Sequence, residues 1–156
     1  MSKSVKRVRQ AIEAAGLIAD IHEMSSETRT AAQAAAALGC AVDQIAKSIV
    51  FQGEASGAYL LFLTAGGRTV QLDRASALAG EPLHKADAAG VRAATGFVIG
   101  GVAPVGHITR IRVFCDENLL AFDQIWAAAG TPRHVFVITP DDLVKITDVQ
   151  ISDFSS

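Results

Sequence analysis

Two places in this chain combine residue types that can do chemistry. The first is Lys47 in "IAKSIVF", the only positive charge between Arg29 and Arg68. Strand numbering puts Lys47 on one face with Ile49 and Phe51, so its ammonium runs along an apolar face or into the mouth of a cleft. There it either grips a phosphate as a compact point charge or snorkels to water from a strand end. The second is "IGGVAPVGH", residues 99–107, which follows the apolar run "FVI". Glycines let main-chain N–H groups approach a ligand with no side chain in the way, and proline fixes the loop's shape. Such a loop suits a carbonyl that becomes an oxyanion, or a ribose or phosphate oxygen. A structural turn between strands would have the same composition.

Other chemistries find no support. There is no GxxxxGK[ST] loop and no GxGxxG, and "GEASG" misses the GxSxG elbow by one position. His22, His84, His107 and His134 are scattered, and no Ser/His/Asp triad is legible. Cys40 and Cys115 stand alone, so no metal site is expected, and they read as small buried hydrophobes in a reducing compartment. With 156 residues, half of them apolar, and a net charge of -2, the chain reads as one compact domain rather than a basic nucleic-acid coat. No apolar run approaches the roughly 20 residues of a membrane span, and no signal-peptide core follows "MSKSVKRVRQ", which predicts a cytoplasmic protein with no membrane partner. No helix concentrates arginine and lysine as a DNA-reading helix would, which disfavours DNA as a partner.

The elements that must hold these residues alternate between helix and strand. Val5, Val8, Ile12 and Ala15 recur at helical spacing, with Lys3, Lys6, Arg7 and Arg9 on the other faces and Gly16 as the stop. "LIADIHEM" reads as a short strand. "TRTAAQAAAALG" reads as a helix with Thr30 and Gln33 spaced as a capping box and Gly39 at its end, and "AVDQIAK" as a second helix running into "SIVFQ". "SIVFQ", "AYLLFLT" and "RTVQL", separated by turn signals, predict an antiparallel meander. "DRASALAG" and "ADAAGVRAATG" read as short helices, "FVIGG" as a strand before the glycine loop, and "TRIRVFC" as a strand by its alternation. "DENLLAFDQIWAAAG" predicts a helix with Trp126 in the core, "HVFVI" a last strand, and "TPDDLVKI" a helix capped by Thr139 with Pro140 at its first position. The expected fold class is α+β, a mixed, mostly antiparallel and curled sheet with helices around it, in a single domain over residues 1–156.

The order of these segments carries a resemblance. "HEMSSETRTAAQAAAALGCAVDQIAKSIVF", then the GxxxP loop "GGVAP", then "AGTPRHVF" resemble the YbaK/ProX family, the free-standing relatives of the editing domain inserted in bacterial prolyl-tRNA synthetase. The likeness runs from about Ile21 to Leu143. It implies a mixed, partly barrel-like sheet surrounded by helices and a deacylase that hydrolyses the ester of a mischarged aminoacyl-tRNA, with no cofactor. It also implies that Lys47 helps hold the tRNA 3′ end. Gly100, Gly101 and Pro104, with Val102 and Ala103 between them, would form the loop that positions the ester, the amide of Gly101 or a neighbour polarising its carbonyl. The amino-acid pocket would draw on Ile21 and His22, Thr28, Thr30, Ser48, and residues 127–130 with Ala128 and Gly130. Ala128 stands where some relatives carry serine, which disfavours a cysteine substrate and leaves alanine, serine or threonine.

On this reading water, aided by the substrate's own 2′-hydroxyl or side chain, attacks and no protein nucleophile is required, because an aminoacyl ester is already activated. The partners implied are the single-stranded CCA end of tRNA and prolyl-tRNA synthetase, whose help would suit an acidic protein. Lys3, Lys6, Arg7, Arg9, Arg110 and Arg112 are the candidates for a local basic patch. The alternative is a non-catalytic module of the same fold that binds an aminoacyl-adenosine-like or nucleotide ligand and acts through a protein partner.

Overall fold

In the computed structural model, which describes residues 2–156, the helices begin and end where their capping chemistry directs. Helix α1 (Lys3–Ala14) starts at Ser2, whose side chain accepts from the Val5 amide, and buries Val5, Val8 and Ile12. Helix α2 (Ala31–Leu38) starts at Thr30, which accepts from the Gln33 amide, and stops at Gly39 in the left-handed conformation. The Gln33 side chain reaches back to the amide of Arg29 rather than that of Thr30, so the expected capping box closes one residue early. A single 3₁₀ turn (Val42–Gln44) leads directly into strand β2 (Ile45–Gly53).

Strand β3 (Tyr59–Ala65) is central, and its run "LLFLTA" is buried on both faces, as a continuous apolar strand requires. Helix α3 (Leu72–Ala79), strand β4 (Leu83–Lys85) and helix α4 (Ala88–Thr95) follow. Strands β5 (Arg112–Asp116), β6 (Ile125–Ala128) and β7 (His134–Ile138), helix α5 (Pro140–Thr147) and strand β8 (Gln150–Ser152) complete the chain. Strand β1 (Ile21–Glu23) forms one end of the sheet, whose order is β1-β7-β6-β2-β3-β5-β8, with β4 also paired to β2. Pairs β1–β7, β2–β3, β2–β4 and β6–β7 are antiparallel and β2–β6, β3–β5 and β5–β8 parallel, so the mixed, predominantly antiparallel sheet is as expected.

Registers sort the core onto the two sheet faces. Ala46, Val50, Leu61, Leu63, Cys115, Ala127 and Phe136 share one face, beneath α1 and α4 residues such as Val8 and Val91. Phe51, Leu60, Phe62 and Phe114 share the other, with Phe62 and Phe114 stacked at 4.7 Å and Phe154 edge-on to Phe62 at 5.0 Å.

Several expected elements differ. "AVDQIAK" yields only the 3₁₀ turn, because the strand pairing of Ile45 and Ala46 with β6 claims the residues a helix would need. "RTVQL" is not a third meander strand; only Val70 bridges, to Ser155. "FVIGG" is a turn, with the Gly101 amide donating to the Val98 carbonyl at 2.9 Å and Ile99 exposed. "DENLLAFDQIWAAAG" is a 3₁₀ segment (Glu117–Ala121) followed by β6, not a helix. Ile125 and Ala127 face one layer and Trp126 the other, a period of two that helix-favouring alanines masked. Trp126 is accordingly half-buried on a strand rather than in a helical core, and β8, not "HVFVI", is the last strand.

Candidate active site

The site begins as an interruption along one edge of β2. Strand β6 pairs with that strand only at Ile45 and Ala46, and β4 only from Phe51 to Gly53. The Val50 carbonyl accepts from the Ala86 amide at 3.0 Å, so Val50 turns its main chain away from β3. Residues in an antiparallel ladder alternate in this respect, so Ser48 also presents its main-chain N–H and C=O to the opening. A cleft of about 600 Å³ lies there, and Lys47, Ser48, Thr28, Thr30, Gly100 and Val102 are among its lining residues. Ala31, Ala34, Ala127 and Ala128 give it small apolar walls, Arg29 adds a second cation to its lining, and none of its lining residues is acidic.

Lys47 lies inside β2 rather than at a helix-to-strand junction, and shares a face with Ile49 and Phe51 as expected. Its Nζ donates to the Arg68 carbonyl at 2.6 Å, which uses one of three ammonium protons. Partial burial pushes its pKa below the ordinary lysine value and Lys85 adds to this, while Asp43 and Asp116 pull the other way. The group is a fixed cation with donors left over.

The glycine loop explains itself through Thr131. A Cβ on Gly101 would lie 2.7 Å from the Thr131 Cα, so what the bare backbone approaches is the following loop. The Gly101 amide is spent on the Val98 carbonyl, which makes Gly101 the wrong choice for an oxyanion donor. The neighbouring amides of Gly100 and Val102, both in the cleft lining, donate to no protein acceptor among the described residues. Gly100 has φ +89°, which glycine adopts without strain. Behind the loop, His107 Nε2 meets the Ala103 carbonyl at 2.7 Å, with its pKa pushed down by burial and by Arg7.

Arg7 donates to the carbonyls of Gly106 and Gly96 at 2.8 and 2.9 Å and stacks over Phe97. This arginine of the supposed RNA patch is thus a brace for the loop. Ala103 and Pro104 are buried and shape the loop without lining the cleft, and Gly130, a left-handed glycine, is packed against Ser4. His22 also stays outside, bonded to Asp20 and edge-on to Trp126 at 5.1 Å.

Sequence reasoning missed Trp126, Thr131, Pro132 and His134, all of which line the cleft. The signal was present in "AGTPRHVF", used for order and spacing but not for roles. Thr131 Oγ1 accepts from the Arg133 amide and lies 2.6 Å from His134 Nδ1, a hydrogen bond that fixes the imidazole at the cleft wall. Ser48 Oγ is buried with no hydrogen-bond partner, and no histidine or carboxylate bonds to it as a base would. The site therefore offers cationic and amide donors, and no activated serine.

A model of the aminoacyl-tRNA editing domain matches residues 25–146, and the chain belongs to that family. It is an aminoacyl-tRNA deacylase, whose substrate is the ester-linked end of a tRNA. Among solved structures, a candidate trans-editing enzyme for prolyl tRNA synthetase superposes with a TM-score of 0.93 at 44% identity, covering 100% of this chain and 99% of that one. The hypothetical protein APE2540 superposes at 0.89 with 30% identity over 96% of this chain and 99% of its own. The uncharacterized protein YwhH of Bacillus subtilis (strain 168) is 29% identical over 128 residues, 82% of this chain and 81% of that protein. No helix among the described residues is long and apolar enough to cross a membrane.

Proposed function

We propose that this chain is a trans-editing deacylase for tRNA-Pro mischarged with a small amino acid such as alanine, serine or threonine. The observation that supports the reading is that Lys47, Gly100 and Val102 line one cleft without an acidic lining residue, and that the amides of Gly100 and Val102 donate to no protein acceptor among the described residues. Lys47 holds the terminal phosphate or ribose of the 3′ end as a point charge. The two amides receive the ester carbonyl as it becomes an oxyanion, a donor set whose single members are typically worth about 3 kcal/mol in the transition state. Water, aided by the substrate's 2′-hydroxyl or side chain, attacks, since Ser48 lacks a base.

The alanine walls and Trp126 bound a space for a short side chain, and Ser48 Oγ offers it or the α-amino group a hydrogen bond. Rejection by size is limited to about 1–3 kcal/mol per methylene in any pocket, which is why a second sieve is useful. Residues 1–156 act as one unit on this reading, because α1 braces the loop through Arg7. At a net charge of -2, tRNA binding is weak alone and strengthened by association with prolyl-tRNA synthetase. The retained donor set favours catalysis over a non-catalytic binding module. The test is amino-acid release from proline tRNA charged with alanine, serine, threonine or cysteine. Hydrolysis of one or two of the first three is expected, and preference for the cysteine ester, or hydrolysis of none, overturns the assignment.

A further inference from the structure

Lys47 does not choose its own position. The carbonyl it donates to belongs to Arg68, in a segment without regular structure of its own, and that segment is held from the far end of the chain. Arg68 Nε donates to Ser155 Oγ at 2.7 Å and its Nη2 to the Ser155 carbonyl at 3.0 Å. Thr69 and Ser156 exchange main-chain hydrogen bonds at 2.9 Å each, and the Gln71 amide donates to the Phe154 carbonyl at 2.7 Å. Ser155 is itself fixed. Its Oγ donates to Asp116 Oδ2 at 2.8 Å, and Asp116 is fully buried, accepting also from the Ala65 amide and from the amide and side chain of Asn118. Asp116 does not line the cleft and makes no ion pair among the described residues, so it acts on the site through its hydrogen-bonded neighbours and through its charge on Lys47.

We propose that Asp116, Ser155 and Arg68 form a positioning relay that fixes the carbonyl against which the Lys47 ammonium is set, making residues 153–156 part of the active-site support. This rests on the reading that Lys47 serves the reaction, and it assigns work to residues that lie outside the segment matched by the family model. The geometry is specific. The guanidinium fork spans both oxygens of Ser155, so the peptide that carries the Arg68 carbonyl is tied to a buried, four-times-bonded carboxylate through a single hydroxyl. Phe154, edge-on to Phe62, anchors the same segment in the core.

The test uses Arg68→Ala, Ser155→Ala and the conservative Arg68→Lys, each confirmed as folded by thermal melting. The first readout is independent of catalysis: proton exchange of the Lys47 ammonium, followed in ¹H–¹⁵N correlation spectra, with Lys6 and Lys145 as internal references. Both alanine variants should speed Lys47 exchange severalfold and leave the references unchanged, and Arg68→Lys should have a smaller effect than Arg68→Ala. The second readout is kcat/KM on alanine-charged proline tRNA, expected to fall by about ten- to a hundredfold, the scale of a misplaced catalytic group. Unchanged Lys47 exchange in both folded alanine variants overturns the relay. Faster exchange with undiminished deacylation upholds the relay and contradicts the role given to Lys47. Should Ser155→Ala fail to fold, Arg68→Ala decides alone, since its side chain is only partly buried.

Discussion

At the residue scale the account turns on donors. The Lys47 pKa lies below the ordinary lysine value, chiefly through burial, and the proposed grip on the tRNA end requires the charged form. Activity should therefore fall as pH rises through that lowered value, earlier than a free lysine titrating near 10.4 would allow. Rates corrected for spontaneous ester hydrolysis, measured across the alkaline range, check this; a profile still rising up to the free-lysine value would contradict it. Gly101→Ala tests the loop differently. Its Cβ would meet the Thr131 backbone at 2.7 Å, so one of the two loops must shift, and both kcat and the melting temperature should fall. Composition and spacing singled out the loop and Lys47 and the family resemblance supplied their roles, but the sequence could not reveal that Gly101 spends its amide on Val98, because hydrogen-bond partners follow from tertiary geometry.

At the element scale, the cleft exists because β6 and β4 each cover only part of one edge of β2. Such short pairings leave little periodic trace, and three-residue strands such as β4 and β8 passed unread for that reason. The helices were legible where caps spoke: Thr30 with Gly39, and Thr139 with Pro140. The alanine-rich segment ending at Gly130 misled because alanine favours helix while its neighbours Ile125 and Trp126 were bound for opposite faces of a strand. Helix α2 supplies the Ala31 and Ala34 wall, so its stability matters to the pocket. Removing its cap by Thr30→Ala should cost about 1 kcal/mol. Urea denaturation checks the magnitude, and a looser wall should show as weakened discrimination between alanine and larger esters.

For the whole molecule, the buried Asp116 joins β3, β5 and the segment at 153–156. Burial alone would raise its pKa, but the hydrogen bonds from Asn118, Ser155 and Ala65 outweigh it and hold the carboxyl below its ordinary value. A carboxylate with a lowered folded pKa contributes stability that is complete above its unfolded value of about 3.9 and lost as pH falls through the folded one. Asp116→Asn should be less stable than the parent at neutral pH, with the gap closing in acid, as denaturation midpoints across the pH range will show. Phe154→Ala should cost about 3–5 kcal/mol, because it empties a fully buried aromatic site.

The central claim is that the cleft on β2 hydrolyses an aminoacyl ester with Lys47 holding the tRNA end. Single-turnover release of alanine from proline tRNA, by the parent and by Lys47→Ala side by side, tests it most directly. The account predicts release by the parent and a loss of at least about a hundredfold in the folded variant, the scale of losing an essential electrostatic contact. Equal release by both would contradict it.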